Sequence, residues 1–140
     1  IEYGNVVHEI LSYIETISDV DLALSKAIEN GLIVEIQRAE VEETILHILN
    51  HPELSFYFSE GNKVMNEQTI IQKKGSPIKP DRMVLSQNKE VFLLDYKTGV
   101  HNQKYQLQLE TYQNAIEEMG FKVTKKALVY IGEQVNVVNL

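Results

Sequence analysis

Three side chains in the second half of the chain offer the most readable chemistry: Asp81, Asp95 and Lys97. Asp95 and Lys97 stand one strand period apart in Val91-Phe92-Leu93-Leu94-Asp95-Tyr96-Lys97-Thr98-Gly99, so both side chains leave the same face of a strand. Asp81 opens the preceding strand-like run, Arg82-Met83-Val84-Leu85, and the polar stretch Ser86-Gln87-Asn88-Lys89-Glu90 between the runs reads as a turn. An antiparallel pairing of the two runs places Asp81 beside Asp95 and Lys97. Carboxylates that close repel each other unless a cation lies between them, and carboxylate oxygens suit hard divalent cations. Such a cation polarises a phosphoryl oxygen and acidifies a bound water, while a neighbouring ammonium orients that water or neutralises charge on the phosphorane. The pattern therefore suits metal-dependent phosphodiester hydrolysis. An acid-x-Lys pair at a strand end also arises by chance as solvated end residues. Here a buried run, Phe92-Leu93-Leu94, delivers Asp95 to the sheet edge and Thr98-Gly99 turns the chain away at once.

The elements that must hold these groups follow from periodicity. Val7, Ile10, Ile14 and Ile17 fall on one helical stripe and predict a helix over 4–17. Ser18-Asp19-Val20-Asp21 starts a second helix that Asn30-Gly31 stops, and Val41, Ile45 and Ile48 mark a third from about Arg38 to Leu49, ended by Asn50-His51-Pro52. The period then changes. Leu54 to Phe58 reads as a short strand or strand-like lead-in, and Lys63 to Lys73 as a strand with its pattern interrupted near Asn66-Glu67. After the hairpin, Gln103 to Met119 is a helix stopped by Gly120, and Val123–Ile131 and Gln134–Val138 are strands joined at Gly132-Glu133. Helices, three strands, a helix and two strands predict an α/β domain: a central mixed β-sheet flanked by helices, with an N-terminal helical segment. Residues 1–140 read as one domain, with a helical part over 1–52 and an α/β core over 53–140. The start at Ile1, already close to a helix, reads as a domain excised from a longer chain.

Composition narrows the chemistry further. The chain has 140 residues and no cysteine, which excludes disulfides, thiolate metal sites, cysteine nucleophiles and iron–sulfur clusters. No apolar run reaches membrane-spanning length, and no membrane partner is expected. The net charge of −7 is unevenly spread: residues 1–70 carry three basic and thirteen acidic side chains, residues 71–140 ten basic and seven acidic. An acidic domain binds polyanions only through a local basic face, bound cations or a partner that delivers the strand. Lys73, Lys74, Lys79, Arg82 and Lys104 are candidates for a basic rim that contacts a phosphate backbone, and Lys122, Lys125 and Lys126 extend that surface. On the last helix, Tyr105, Gln108, Leu109, Tyr112, Ile116 and Met119 share a face on which Gln108 is the only amide, so a buried Gln108 needs a hydrogen-bond partner.

"PDRMV … VFLLDYKTG" resembles the core of the PD-(D/E)xK nucleases, in particular the RecB/AddA-type nuclease domain at the C-terminus of recombination helicase–nucleases. Gly4-x-x-x-His8, Glu67 and Gln108-x-x-x-Tyr112 match further motifs of that family in order, so the resemblance spans nearly the whole chain. It departs in having Lys79-Pro80 where many relatives have a glycine shortly before the first aspartate. The resemblance implies a restriction-endonuclease-like core with His8, Asp81, Asp95 and the Tyr96 backbone carbonyl as ligands of Mg2+ or Mn2+. It implies that Lys97 positions the attacking water and that Glu67 is a supporting acid. Gln108 and Tyr112 would contact DNA or brace the site. It further implies an exonuclease acting on DNA, expected single-stranded, beside a helicase domain on the same chain or a partner subunit, in recombination and repair. The expected place is the cytoplasm of a bacterial-type cell, at the nucleoid. His47, His51 and His101 lack such support and read as surface or capping groups. Two other readings stay open: a nuclease-fold module that binds DNA or a partner without turnover, and a metal hydrolase of small phosphoesters.

Overall fold

The computed structural model describes residues 2–140. Helices α1 (Tyr3–Leu11), α2 (Val20–Glu29) and α3 (Arg38–Leu49) come first, followed by strands β1 (Lys63–Asn66), β2 (Arg82–Leu85) and β3 (Glu90–Lys97). Helix α4 (Gln103–Glu118) then leads to β4 (Lys122–Ile131) and β5 (Val135–Asn139). The five strands form one mixed sheet in sequence order. β1–β2, β2–β3 and β4–β5 pair antiparallel; β3 and β4 pair in parallel, joined by the α4 crossover. The predicted α/β class, the mixed sheet and the helical N-terminal segment are all present.

Strand alternation sorts the core onto two faces. Val84, Leu94, Tyr96, Ala127, Val129 and Ile131 face the N-terminal helices. Met83, Val91, Leu93, Val123, Leu128 and Tyr130 face α4, where Leu109, Tyr112 and Ile116 meet them. Each fully buried aliphatic side chain contributes on the order of 1.5–3 kcal/mol. No helix among the described residues is long and apolar enough to cross a membrane.

The predicted first helix is too long. α1 ends at Leu11, where the amides of Tyr13 and Ile14 bond three residues back, and Asp19 Oδ2 accepts from the amides of Glu15 and Thr16. Ile14 still reaches the core, but Ile17 is half exposed on a separate 3-10 turn, Ile17–Asp19. The second helix accordingly starts later, at Val20. Leu54–Phe58 is not a strand: Ser55–Phe58 forms a 3-10 turn that buries Tyr57 and Phe58. The Lys63–Lys73 strand stops at Asn66, because Glu67 takes a left-handed backbone (φ 54°); beyond it only an isolated bridge, Ile70 to Ile78, continues the pairing. The β4–β5 turn holds Gly132, Glu133 and Gln134, and Ile131 pairs with Val135.

Candidate metal centre

The β2–β3 register pairs Arg82 with Leu94, which sets Asp81 opposite Asp95 at the end of the central strands. Each aspartate is gripped by the other strand's backbone. Asp95 Oδ1 accepts the Asp81 N–H at 2.9 Å, and Asp81 Oδ2 accepts the Tyr96 N–H at 2.9 Å. Asp81 therefore keeps Oδ1 free, and Asp95 keeps Oδ2, which lies 3.6 Å from Lys97 Nζ.

His8 arrives from the opposite layer. It follows Gly4 by four residues, one helical turn on the same face of α1. A Cβ on Gly4 would come within 2.5 Å of both the Ile131 carbonyl oxygen and Thr98 Cγ2, so glycine lets the helix lie close against the sheet. The imidazole stacks at a tilt on Tyr96, 5.1 Å between centroids, and Nε2 points at Glu67 Oε1 (3.5 Å) and Asp81 Oδ1 (3.6 Å). His8, Glu67 and Asp81 each present one donor atom within 4.8 Å of the others. Glu67 comes to this point from just past the end of β1, and its amide bonds the Asp81 carbonyl at 3.0 Å.

These groups fit a divalent cation. His8 Nε2 and Glu67 Oε2 are buried and have no hydrogen-bond partner, and an unsatisfied buried polar atom is costly. Burial raises the Asp81 carboxyl to about 6, helped by Glu67 beside it and opposed by His8 and the Tyr96 N–H. Burial, then the Asp81 charge, raises Asp95 to about 7, against the Asp81 N–H, Lys97 and His8. The fold thus concentrates carboxylates that either a proton or a nearby positive charge stabilises. One imidazole with carboxylate oxygens suits Mg2+ or Mn2+ as the ion.

Lys97 closes the other side. Its ammonium donates to Gln108 Oε1 at 2.9 Å and sits 4.5 Å above the Tyr105 ring. Gln108 is thus at the site, but as an exposed residue of α4 and not the buried amide its stripe suggests. Tyr112, one turn on, is buried; its hydroxyl reaches toward the Lys79 carbonyl at 3.5 Å, and burial pushes its pKa up to about 12. Lys104 is exposed beside Tyr105, and Lys73, Lys74 and Lys79 are exposed too.

Arg82 does not belong to a DNA-binding rim. It is fully buried, stacked 4.0 Å over Phe58 and spent on carbonyl and amide oxygens of the protein. Lys125 and Lys126 pair with Phe92 and Leu93, several residues along the sheet from the Asp95–Leu128 level, and are engaged by Phe56 and Gln113. They do not extend the site. Of the remaining histidines, His51 Nδ1 accepts the Glu53 amide as a local cap, and His101 bonds the Tyr130 hydroxyl at 2.7 Å.

Glu67, expected as a supporting acid, stands in the same cluster as His8 and Asp81, whereas Asp95, expected as a ligand, borders it. The break in strand pattern at Asn66-Glu67 was the available signal. Tyr105 was visible only as a member of the α4 stripe. No protein-family model matches this chain, and no curated protein matches it.

Proposed function

We propose that this chain is a divalent-metal-dependent deoxyribonuclease domain of the PD-(D/E)xK type, similar to the nuclease domains of recombination helicase–nucleases. The observation that carries the reading is the convergence of His8, Glu67 and Asp81 on one point, two of them with orphaned buried atoms, next to Asp95 and a tethered Lys97.

His8, Glu67 and Asp81 would hold the ion, with Asp95 and the Tyr96 carbonyl completing its surroundings. The bound ion, Mg2+ or Mn2+, supplies polarisation of a phosphoryl oxygen and a more acidic water. Lys97 is held by Gln108 and Asp95 at the rim of this cluster, where a fixed ammonium stabilises charge building on the phosphorane oxygens and orients the attacking water. Asp95 Oδ2, free of backbone bonds, accepts a proton or a hydrogen bond from that water. Tyr112 and Gln108 keep the α4 side in register. The substrate would be a DNA single strand, attacked in exonuclease fashion and delivered by a helicase on the same chain or a partner, with Lys104 among the groups that touch its phosphates.

The test is incubation of the domain with linear single-stranded DNA in Mn2+ or Mg2+ and then in chelator. Metal-dependent cleavage is expected, with Asp95→Ala and Lys97→Ala reducing it by about 10²-fold or more and Gln108→Ala by less. No cleavage in metal, or equal cleavage by the Asp95 and Lys97 variants, sinks the reading. DNA binding without any cleavage would favour an inactive binding module instead.

A further inference from the structure

Three chain segments that supply the ion's ligands are tied together behind the site by a single polar knot. Arg82, the residue after Asp81, donates from Nη1 to the Ile14 carbonyl (2.6 Å) and to Asn66 Oδ1 (3.0 Å). It also donates from Nη2 to the Glu15 carbonyl (2.6 Å) and from Nε to the Tyr57 carbonyl (3.0 Å). Asn66, the residue before Glu67, donates its amide to the same Ile14 carbonyl at 3.1 Å. Asn66 and Arg82 are also register partners across β1 and β2. Ile14 and Glu15 belong to the turn that ends the segment carrying His8. The knot thus touches the chain next to Glu67, next to Asp81 and just past α1.

A buried guanidinium is an expensive way to fill space. Arg82 is fully buried, yet the ion pairs among the described residues do not include it. Its charge is met by carbonyl and amide oxygens and by the Phe58 ring. An apolar side chain would pack there without that desolvation cost, but could not bond four acceptors from three separate segments.

We propose that Arg82 and Asn66 are positioning residues, a latch that fixes the spacing of His8, Glu67 and Asp81. The inference rests on the metal-centre reading only for its effect on ion affinity; the geometric part stands without it. Neither Arg82 nor Asn66 is among the hydrogen-bond or ion-pair partners of His8, so His8 is a reporter that local damage at position 66 does not disturb directly.

Asn66→Ala removes both bonds of the amide; Asn66→Asp keeps an acceptor for Arg82, now as a carboxylate paired with the guanidinium, and removes the donor to Ile14. Two readouts are taken on each folded variant: Mn2+ affinity by titration, and the His8 ring ¹H–¹⁵N shifts in cation-free protein at one fixed pH. The expected result is a Kd for Mn2+ raised roughly tenfold in Asn66→Ala, as for loss of a group that orients ligands, with moved His8 resonances and a smaller change in Asn66→Asp. Ile48→Ala, a core truncation in α3, serves as a control that lowers stability and leaves both readouts at wild-type values. Wild-type Mn2+ affinity together with unmoved His8 signals in Asn66→Ala overturns the latch, and if that variant does not fold, the same result in Asn66→Asp does so. Absence of Mn2+ binding by the wild-type chain overturns the metal centre instead, and the His8 shifts then decide the latch alone.

Discussion

Asp81 and Asp95 hold one another through the backbone: each side chain accepts an N–H from the opposing strand at 2.9 Å, Asp95 from Asp81 itself and Asp81 from Tyr96. The exchange fixes one oxygen of each carboxyl and leaves the other aimed at His8 or Lys97. A buried acid, Asp95, and a part-buried one, Asp81, are thereby kept close by a register that the rest of the sheet enforces. The arrangement is favourable for binding a cation and unfavourable for the empty protein.

That cost sets a pH dependence. Folding raises the Asp81 carboxyl to about 6 and the Asp95 carboxyl to about 7 from an ordinary 3.8. The cation-free native state therefore binds more protons than the unfolded chain between those values. Its stability falls as pH rises from about 4 to 7. Asn at position 95 can still accept the Asp81 N–H but carries no charge. Asp95→Asn should be more stable than wild type at pH 8, by about 1–3 kcal/mol, and match it at pH 4. Added Mn2+ should raise the wild-type melting temperature more than that of the variant. Thermal melts at the two pH values check this; a difference between the proteins that does not change with pH would contradict it.

Gly4 is where the α1 backbone lies against Ile131 and Thr98. A methyl there meets the Ile131 carbonyl oxygen and Thr98 Cγ2 at 2.5 Å, and the first of these is backbone that cannot rotate away. Gly4→Ala should destabilise by about 1–3 kcal/mol and push His8 out of line, so Mn2+ affinity falls along with the melting temperature. Asn5→Ala, on the exposed side of the same helix, should change neither. Calorimetric titration and melting of both variants would reveal an error here if Gly4→Ala bound Mn2+ as the wild type does.

Glu67 sits at φ 54°, a conformation that costs a residue with a Cβ roughly 1 kcal/mol or more. Glu67→Gly relieves that strain and removes an acid from beside Asp81. Stability should rise while Mn2+ affinity falls at least tenfold. The opposite signs distinguish a ligand from a strand-end residue that merely bends the chain: loss of stability with unchanged affinity would assign Glu67 to the fold alone.

Much of this site was legible because its parts lie on elements with clear periods. The hairpin that opposes Asp81 and Asp95 follows from two apolar runs and a polar turn, and the α4 crossover from the stripe that contains Leu109, Tyr112 and Ile116. Arg82 was misread because a basic residue beside an acid looks like a phosphate contact. Its acceptors are the carbonyls of residues 14, 15 and 57 and the side chain of Asn66, none of which leaves a local trace. Gln108 does stand at the site, and only its expected burial fails. The stripe assigns it to the helix face correctly, but its place early in α4 leaves it exposed at the rim with Lys97. Aromatic residues at Phe56, Tyr57 and Phe58 favour a strand, yet a 3-10 turn buries Tyr57 and Phe58 and offers the Tyr57 carbonyl to Arg82.

His8, Glu67 and Asp81 are placed to hold one divalent cation. Anomalous diffraction from a crystal soaked in Mn2+ tests it most directly. A peak is expected bonded to His8 Nε2 and to the Glu67 and Asp81 carboxylates, with Asp95 at its border. A peak elsewhere in the molecule, or none at this cluster at saturating Mn2+, would contradict it.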